Sequence, residues 1–378
     1  MTFAALALLA PAVAEAPAGA EAPAVAAAVA APANTPAASG PDGAVAVDRT
    51  VTDPRIAESS GLAPSPTHPG VLWTHNDSGN PPVIYALRRD GSTAAAVRLS
   101  GTADRDWEAI ASYREPSGRA MIAVADTGDN AAVRAQVEVV LLPEPALRNA
   151  TVRPARVLRL RYPDGAVDAE TLLIDPVARR MYVVSKGFGS TVFAVPEQVW
   201  PGVAGTALRD DGMLDPIATV PLILVTDGLV APDGHVLLRT YGELAVLRPI
   251  TDDARGGSLQ PLVTARLPAQ PQGEAIAWVD SRTVLLGTEG VRQPVLRWRL
   301  PSEVTRLLHD TAATGAAGGT GRAGRAGGGT AGTGGDAGAT GSAGTGSPSA
   351  PRAAAVVAGV LALAIGGLVL RRRARRRF

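Results

Sequence analysis

One local pattern returns five times between residues 58 and 300, and this repeat constrains the fold more than any other feature of the chain. Each copy opens with a short segment, acidic in four copies, then apolar residues, a turn, and a second apolar run ending in polar residues. The copies are aligned on one small residue: Gly61, Ala109, Thr171, Gly228 and Ala275. These anchors are separated by 48, 62, 57 and 47 residues. A period of roughly 50 residues built from short strands is typical of a β-propeller.

Each copy has room for four strands. The third strands are β-branched and aromatic runs bounded by Gly and Pro, at 83–87, 137–142, 191–195, 244–247 and 295–300. Fourth strands follow in all copies but the last, at 95–99, 156–160, 216–220 and 262–267. If the strand-like segment 43–51 pairs beside 295–300, it closes the last sheet and removes its open edge. The sequence therefore predicts an all-β fold, a single β-propeller over 43–310 with five blades; six stay open because the second and third copies are long.

The two ends of the chain have a different composition from the repeats. Residues 3–10 are apolar, and Ala12 and Ala14 fit the small-residue rule for cleavage, so 1–14 is predicted to be a signal peptide, although its basic n-region is missing. Segment 15–42 is rich in Ala and Pro and is expected to be disordered. Segment 311–351 consists mostly of Gly, Ala, Thr and Ser, which predicts a flexible linker.

A membrane anchor is predicted near the C-terminus. Residues 353–370 form an uncharged run that would span about 27 Å as a helix, and six arginines follow it. We therefore expect a transmembrane helix at 352–370, a basic cytoplasmic tail at 371–378, and a single-pass cell-membrane protein with its N-terminal domain outside. The alternative, a buried helix with a nucleic-acid-binding tail, would require an amphipathic face, which the run lacks.

Charge and motif content exclude several functions. The chain has no cysteine, which rules out disulfides and thiolate metal sites. Nine of its arginines and four of its acids lie outside 43–310, so this segment has a formal charge of about −4 while the whole chain has +1. A mildly acidic domain argues against a nucleic-acid partner. Nucleophile-elbow, zinc-protease, phosphate-loop and dinucleotide motifs are also missing from the sequence.

The chemistry is expected where two sets of loops converge on one face of the disc, since inner strands begin there and the loops between second and third strands open there. The first set carries four acids, each one position before the anchor of copies 2 to 5: Glu108, Glu170, Asp227 and Glu274. The second set carries the ligand-binding candidates His75, Asn76, Asp126, Asp129, Asn130, Lys186, Arg239 and Glu289. Alternatively, the Asn, Asp and Gly residues of the 75–79 and 126–130 loops serve only to form turns, because these residue types tolerate positive φ.

Acids converging on one axis would repel, by roughly 2.8 kcal/mol per pair at about 6 Å. A bound cation, raised pKa values, arginine pairing or side chains that turn away would each relieve this repulsion. Oxygen donors favour a hard ion, calcium before magnesium. The predicted metal ligands are Glu108, Glu170, Asp227, Glu274 and Asp77. Alternatively, each acid accepts hydrogen bonds from a neighbouring turn and fixes the geometry between sheets.

Several of these segments resemble a known family. Residues 58–63, 73–79, 84–87, 106–111 and 273–277 look like secreted propellers grouped as phytase-like or esterase-like, and are more distantly similar to gluconolactonase and NHL-type propellers. The likeness covers about 43–300. It implies an axial Glu with Asn and Asp metal ligands, and these fall on the following residues: Glu108 or Glu274, Asn76 or Asn130, and Asp77 or Asp126.

Two functions follow as hypotheses. The first is a membrane-anchored extracellular binding module for a small molecule, a glycan or a protein, with a calcium site on this face. The second is a calcium-dependent hydrolase of a small ester, lactone or phosphoester, in which Glu108 or Glu274 is the catalytic group that activates water. The tryptophans at 73, 107, 278 and 298 lie in or beside predicted strands, so we interpret them as packing between sheets.

Overall fold

A computed structural model describes residues 43–175, 178–200 and 208–308. The predicted signal peptide, the Ala/Pro-rich segment, the linker, the transmembrane helix and the basic tail all lie outside these residues. Within the described ranges, no helix is both long enough and apolar enough to cross a bilayer. Helical turns are confined there to Asp252–Ala254 and 302–308.

The described part of the chain is built from short strands. In chain order they are β1 Val45–Thr50, β2 Ser59–Pro64, β3 Leu72–Asn76, β4 Val83–Leu87, β5 Thr93–Leu99, β6 Trp107–Arg114, β7 Ala120–Asp126, β8 Val137–Pro143, β9 Ala150–Val152, β10 Arg156–Arg161, β11 Ala169–Asp175, β12 Arg180–Ser185, β13 Ser190–Ala194, β14 Asp211–Met213, β15 Asp215–Val220, β16 Asp227–Val230, β17 Val236–Arg239, β18 Glu243–Leu247, β19 Gly257–Ser258, β20 Val263–Arg266, β21 Gly273–Asp280, β22 Thr283–Thr288 and β23 Pro294–Arg299.

These strands form five sheets. From the inside outward, blade 1 is β2-β3-β4-β5-β9, blade 2 is β6-β7-β8-β10-β14, blade 3 is β11-β12-β13-β15-β19, blade 4 is β16-β17-β18-β20, and blade 5 is β21-β22-β23-β1. The inner four strands of every blade are antiparallel, whereas β9, β14 and β19 pair in parallel at the outer edges. The all-β prediction with five blades is confirmed.

The extra outer strands explain why two copies of the repeat are long. Strand β9 lies in the second copy but pairs with β5 of blade 1, and β14 lies in the third copy but pairs with β10 of blade 2. The added residues therefore return to the preceding blade and do not form a sixth sheet.

The blades are arranged as a closed ring. Each innermost strand contacts the innermost strands of both neighbours, in the order β2, β6, β11, β16, β21 and back to β2. Five separate apolar clusters fill the five gaps between adjacent blades. Because each sheet is covered on both sides, its inner strands are rich in apolar residues, and every residue of β7 is buried. The tryptophans were predicted to pack between sheets. Trp73, Trp107 and Trp298 are buried in the gaps between blades, in agreement with this prediction.

The N-terminal strand closes the ring, as the sequence predicted. Strand β1 runs antiparallel to β23, with Val45 opposite Trp298 and Thr50 opposite Pro294. The buried Arg49 then ties this strand to blade 1, because its Nη1 donates to the carbonyl oxygens of Gly70, Leu87 and Arg88, each at 3.1 Å.

Candidate metal centre on the axial face

Backbone hydrogen bonds join the two predicted loop sets on one side of the disc, which we call the axial face. In blades 1, 3 and 5, the residue directly after the second strand donates a backbone hydrogen bond to the chain entering the inner strand of the same blade. Asp77 N donates to Glu58 O at 2.8 Å, Lys186 N to Asp168 O at 2.9 Å, and Glu289 N to Gln272 O at 3.0 Å. Gly128 N donates to Asp106 O at 3.1 Å in blade 2.

A β-bulge at the start of the inner strand presents the key side chains. The register of the ladder shifts between Trp107 and Ala109 in blade 2, and between Ala169 and Thr171 in blade 3. Blades 1 and 5 show the same irregularity, so the extra residues include Ser60, Glu108, Glu170 and Glu274. A bulge re-aims a side chain out of the strand's alternation. In blade 4 the register is regular from Asp227 onward.

Two groups of three carboxylates meet at Glu108. The first triad is Asp77, Asp106 and Glu108, and the second triad is Glu108, Asp168 and Glu170. In each triad one oxygen per residue lies within 4.8 Å of the others. Glu108 is 3% exposed, and its Oε1 is a buried atom without a hydrogen-bond partner, while Oε2 lies 3.4 Å from Ser60 Oγ. The pKa of Glu108 is raised well above its ordinary value by burial first and then by Asp77, Glu170 and Asp106.

Lys186 supplies positive charge at the second triad. Its Nζ donates to Glu170 Oε1 and lies 5.4 Å from the centre of the Tyr241 ring. Burial opposes the ammonium charge, but the neighbouring Glu170 and Glu274 raise the pKa of Lys186 above its ordinary value. Lys186 and Glu170 therefore form an ion pair beside the axis.

Glu274 lies close enough to this pair to interact with its charges. Its Oε1 accepts a hydrogen bond from Tyr241 OH at 3.2 Å, and its Oε2 is buried without a partner. Burial raises the pKa of Glu274, although Lys186 and Arg239 act in the opposite direction.

Arg239 and Asp227 make structural contacts. The fully buried Arg239 guanidinium donates through Nη1 to Ala275 O at 2.6 Å, and Nη2 lies 3.3 Å from Gln270 Oε1. Asp227 accepts hydrogen bonds from Gly228 N and Ile276 N, each at 2.8 Å, and so ties β16 to β21. Burial raises the pKa of Asp227 to about 8.

The blade 1 candidates His75 and Asn76 face inward. His75 is fully buried, its Nδ1 lies 2.8 Å from Asn76 O, and its ring meets the edge of Trp107. Burial lowers the pKa of His75 to about 4, so the ring is neutral at physiological pH. The Asn76 amide accepts from Glu58 N at 3.1 Å and donates to Arg55 O at 2.7 Å. Both side chains support the turns that carry the site.

The candidates in the 126–130 loop are engaged in its folding. Asp126 pairs with Arg134 at 2.7 Å, and Asp129 accepts from Val133 N and Arg134 N at 2.8 and 2.7 Å. Asn130 is exposed. In blade 5, Glu289 is half-buried and accepts a hydrogen bond from the side-chain amide of Gln272.

The first triad fits a hard divalent cation. It offers three carboxylates, which can supply up to about six oxygens, and calcium takes 6–8 oxygen ligands. Gly128 leaves the space open, because a Cβ there would lie 2.3 Å from Glu108 Oε1 and 2.7 Å from Asp106 Oδ2. Nearby, burial and the charges of Asp126, Asp77 and Asp106 raise the pKa of Asp104 to about 9.

Asp106, Asp168 and Asp104 were not predicted as site residues from the sequence. A signal for the first two was present, since Asp-x-Glu occurs at the same place in copies 2 and 3. In both copies the Asp precedes the Glu by two residues, so the two carboxylates enter the same end of the inner strand together.

Comparisons with known proteins give distant structural likenesses. No protein-family model matches the chain, and no curated protein gives a significant match. Among solved structures, a gluconolactonase from Xanthomonas campestris is similar with 16% identity and a TM-score of 0.35, covering 67% of this chain and 89% of that one. A chain of the mitotic checkpoint complex is similar with 12% identity and a TM-score of 0.33, covering 64% and 61%.

Proposed function

We propose that the axial face binds a divalent metal ion, calcium in the first instance, and that the ion and its surroundings bind a small ligand. The observation that carries this proposal is Glu108 Oε1, a buried oxygen without a hydrogen-bond partner that belongs to a group of three carboxylates. Asp77, Asp106 and Glu108 would hold the ion.

Charge supports a cation at the first triad. Carboxylates about 5 Å apart repel by roughly 3 kcal/mol per pair at an effective dielectric near 20. The raised pKa of Glu108 reflects this repulsion together with burial. A divalent ion replaces the repulsion by attraction, and oxygen ligands suit calcium.

The surroundings support ligand binding. Three carboxylates leave part of a calcium coordination shell of 6–8 oxygens for a ligand. In the loops that follow β12 and β17, Phe188 is 78% exposed and Tyr241 is 38% exposed. An oxygen-bearing ligand with an apolar part would contact the ion and these rings together.

A second candidate function is hydrolysis of a small ester, lactone or phosphoester. The observation in its favour is Glu274, whose Oε2 is buried without a partner and whose pKa is raised. A bound ion would polarise the substrate oxygen. Glu274 would then accept a proton from water through Oε2, while Tyr241 holds the other oxygen of the carboxylate.

Calcium titration of the purified full-length protein tests the metal site. We expect Glu108→Gln to weaken calcium binding at least about tenfold, which corresponds to about 1.4 kcal/mol. The matched control is Glu138→Gln, because Glu138 lies on β8 and pairs with the half-exposed Arg159; it should stay within about twofold. No calcium binding by the wild type, or equal effects of the two variants, would contradict the proposal.

The two functions are separated by assaying lactones, aryl esters and phosphoesters with calcium present. The hydrolase function predicts turnover that Glu274→Gln abolishes while calcium affinity changes little, because Glu274 lies outside the first triad. A wild type that binds calcium and hydrolyses none of these substrates supports the binding module.

We further propose that the protein is held at the cell membrane by 352–370, with the ring outside. The uncharged run at 353–370 and the six arginines that follow it support this topology. Deletion of 352–378 should move the protein from the membrane fraction to the soluble fraction. Protease added to intact cells should cleave the 311–351 segment of the full chain; protection of that segment would argue against the topology.

A further inference from the structure

The two carboxylate triads are equivalent in construction. The Asp and Glu of an Asp-x-Glu segment enter the inner strand of blade 2 in the first triad and of blade 3 in the second. A bulge re-aims the Glu in both blades. Glu108, with its buried and unpartnered Oε1, belongs to both triads. A second cation site beside the first would therefore be expected from carboxylate geometry alone.

Lys186 distinguishes the second triad. Its backbone N donates to Asp168 O at 2.9 Å, and its Nζ donates to Glu170 Oε1, so the residue is fixed to this triad at both ends. The side chain is 12% exposed, and Tyr241 lies alongside the ammonium, 5.4 Å from ring centre to Nζ. The ammonium is thus a buried and oriented charge.

The same backbone position carries opposite charges in blades 1 and 3. Asp77 and Lys186 each follow the second strand of their blade and donate a backbone hydrogen bond to the chain entering the inner strand. Asp77 adds a carboxylate to the first triad, whereas Lys186 brings a compact cation with three donors to the second. At this position, Asp77 therefore adds negative charge to the first triad, whereas Lys186 neutralises part of the negative charge of the second triad.

We propose that the Lys186 ammonium takes the place of a second divalent ion, so that the axial face binds one ion at the first triad. Lys186 is thus a residue that determines the metal stoichiometry. This inference rests on the proposed function, because it requires that the first triad binds a metal.

The test is the number of calcium ions bound per chain, measured on full-length protein by calorimetry and by metal analysis after equilibrium dialysis. The wild type should bind one equivalent, and Lys186→Met should bind two, because methionine removes the ammonium and leaves the second triad to a cation. Lys186→Arg, which keeps the charge, should bind one. The double variant Lys186→Met/Glu170→Gln removes a carboxylate as well and should return to one.

The outcomes separate the inference from the proposed function. One equivalent in the wild type and one in a folded Lys186→Met protein overturns the inference and leaves the metal site intact. A wild type that binds no calcium contradicts the proposed function, and with it the inference, which requires an ion at the first triad. If the Lys186→Met protein folds only with calcium present, it can be purified in calcium and dialysed to equilibrium against calcium-containing buffer. Metal analysis then still gives the number of ions bound per chain.

Discussion

At the scale of single residues, the site depends on several side chains that lie close together around Glu108. Its carboxylate accepts from Ser60, belongs to both triads, and faces the bare backbone of Gly128. Lys186, Tyr241 and the buried amides around Asp227 compensate the other acids. Two of the four ways to relieve repulsion that the sequence allowed occur in the structure: the pKa of Glu108 is raised, and the Asp227 carboxylate turns to backbone N–H groups. The pairing of Glu170 with Lys186 is a further way that was not among the four.

Gly128→Ala tests the space beside the first triad. A Cβ at this position would lie 2.3 Å from Glu108 Oε1, so the carboxylate must move. We expect a loss of stability of about 1–3 kcal/mol in urea denaturation and calcium binding weakened at least about tenfold. Gly189→Ala is the control, since a Cβ there meets nothing within 4 Å. Equal effects of the two substitutions would contradict this role of Gly128.

The pH dependence of stability tests the burial of Asp227. Its pKa rises from 3.8 to about 8 on folding, so between these values the folded state holds a proton that the unfolded state has lost. The free energy of unfolding therefore falls as pH rises, by up to about 1.4 kcal/mol per pH unit for one group. His75 acts in the opposite direction, mainly below its ordinary pKa of 6.5, so the acids dominate the slope from about pH 6.5 to 7.5.

The variant Asp227→Asn is compared with the wild type in that window, with calcium removed by chelation. We expect the plot of unfolding free energy against pH to be less steep for the variant, by up to about 1.4 kcal/mol per pH unit, because one titrating proton has been removed. Urea denaturation at several pH values measures the slope. An unchanged slope in Asp227→Asn, or stability that rises with pH in the wild type, would show that Asp227 is ionised in the folded protein.

The sequence could locate these acids but not their surroundings. Alignment of the copies places Glu108, Glu170, Asp227 and Glu274 at one position, and the first two do meet. Asp227 makes different contacts because blade 4 has no bulge at that point, and a bulge is not visible in a pattern of apolar residues. The pairing of Lys186 with Glu170 was missed because residues of two adjacent strands meet only once the register is known.

At the scale of elements, the outermost strands decide how the ring closes. Strand β1 completes blade 5, and Arg49 connects that blade to carbonyl oxygens of blade 1. The sequence predicted this closure because 43–51 had no other partner. It did not predict β9, β14 or β19, since strands of two or three residues carry too little periodicity to be recognised.

Arg49→Ala tests the side-chain part of the closure. Removal of the guanidinium leaves the carbonyl oxygens of Gly70, Leu87 and Arg88 without their donor, so we expect a loss of about 3 kcal/mol in urea denaturation. The exposed Arg266 on β20 provides the control, and Arg266→Ala should stay within about 0.5 kcal/mol. A loss below about 1 kcal/mol for Arg49→Ala would mean that strand pairing alone closes the ring.

At the scale of the whole molecule, the ring brings acids from distant parts of the chain to one axial face. Asp77 enters from blade 1, Asp106 and Glu108 from blade 2, and Asp168 and Glu170 from blade 3. Five apolar clusters between the blades hold this arrangement. The repeat predicted the ring because its period is a property of the whole chain, whereas the side-chain contacts at the centre depend on local irregularities.

The most direct test of the metal centre is crystallography of the protein grown with calcium, using anomalous scattering to identify the ion. We predict one calcium peak at about 2.3–2.6 Å from oxygens of Asp77, Asp106 and Glu108. The Lys186 ammonium should remain on Glu170. A map without a peak at the first triad, or with its peak elsewhere on the ring, would contradict the account.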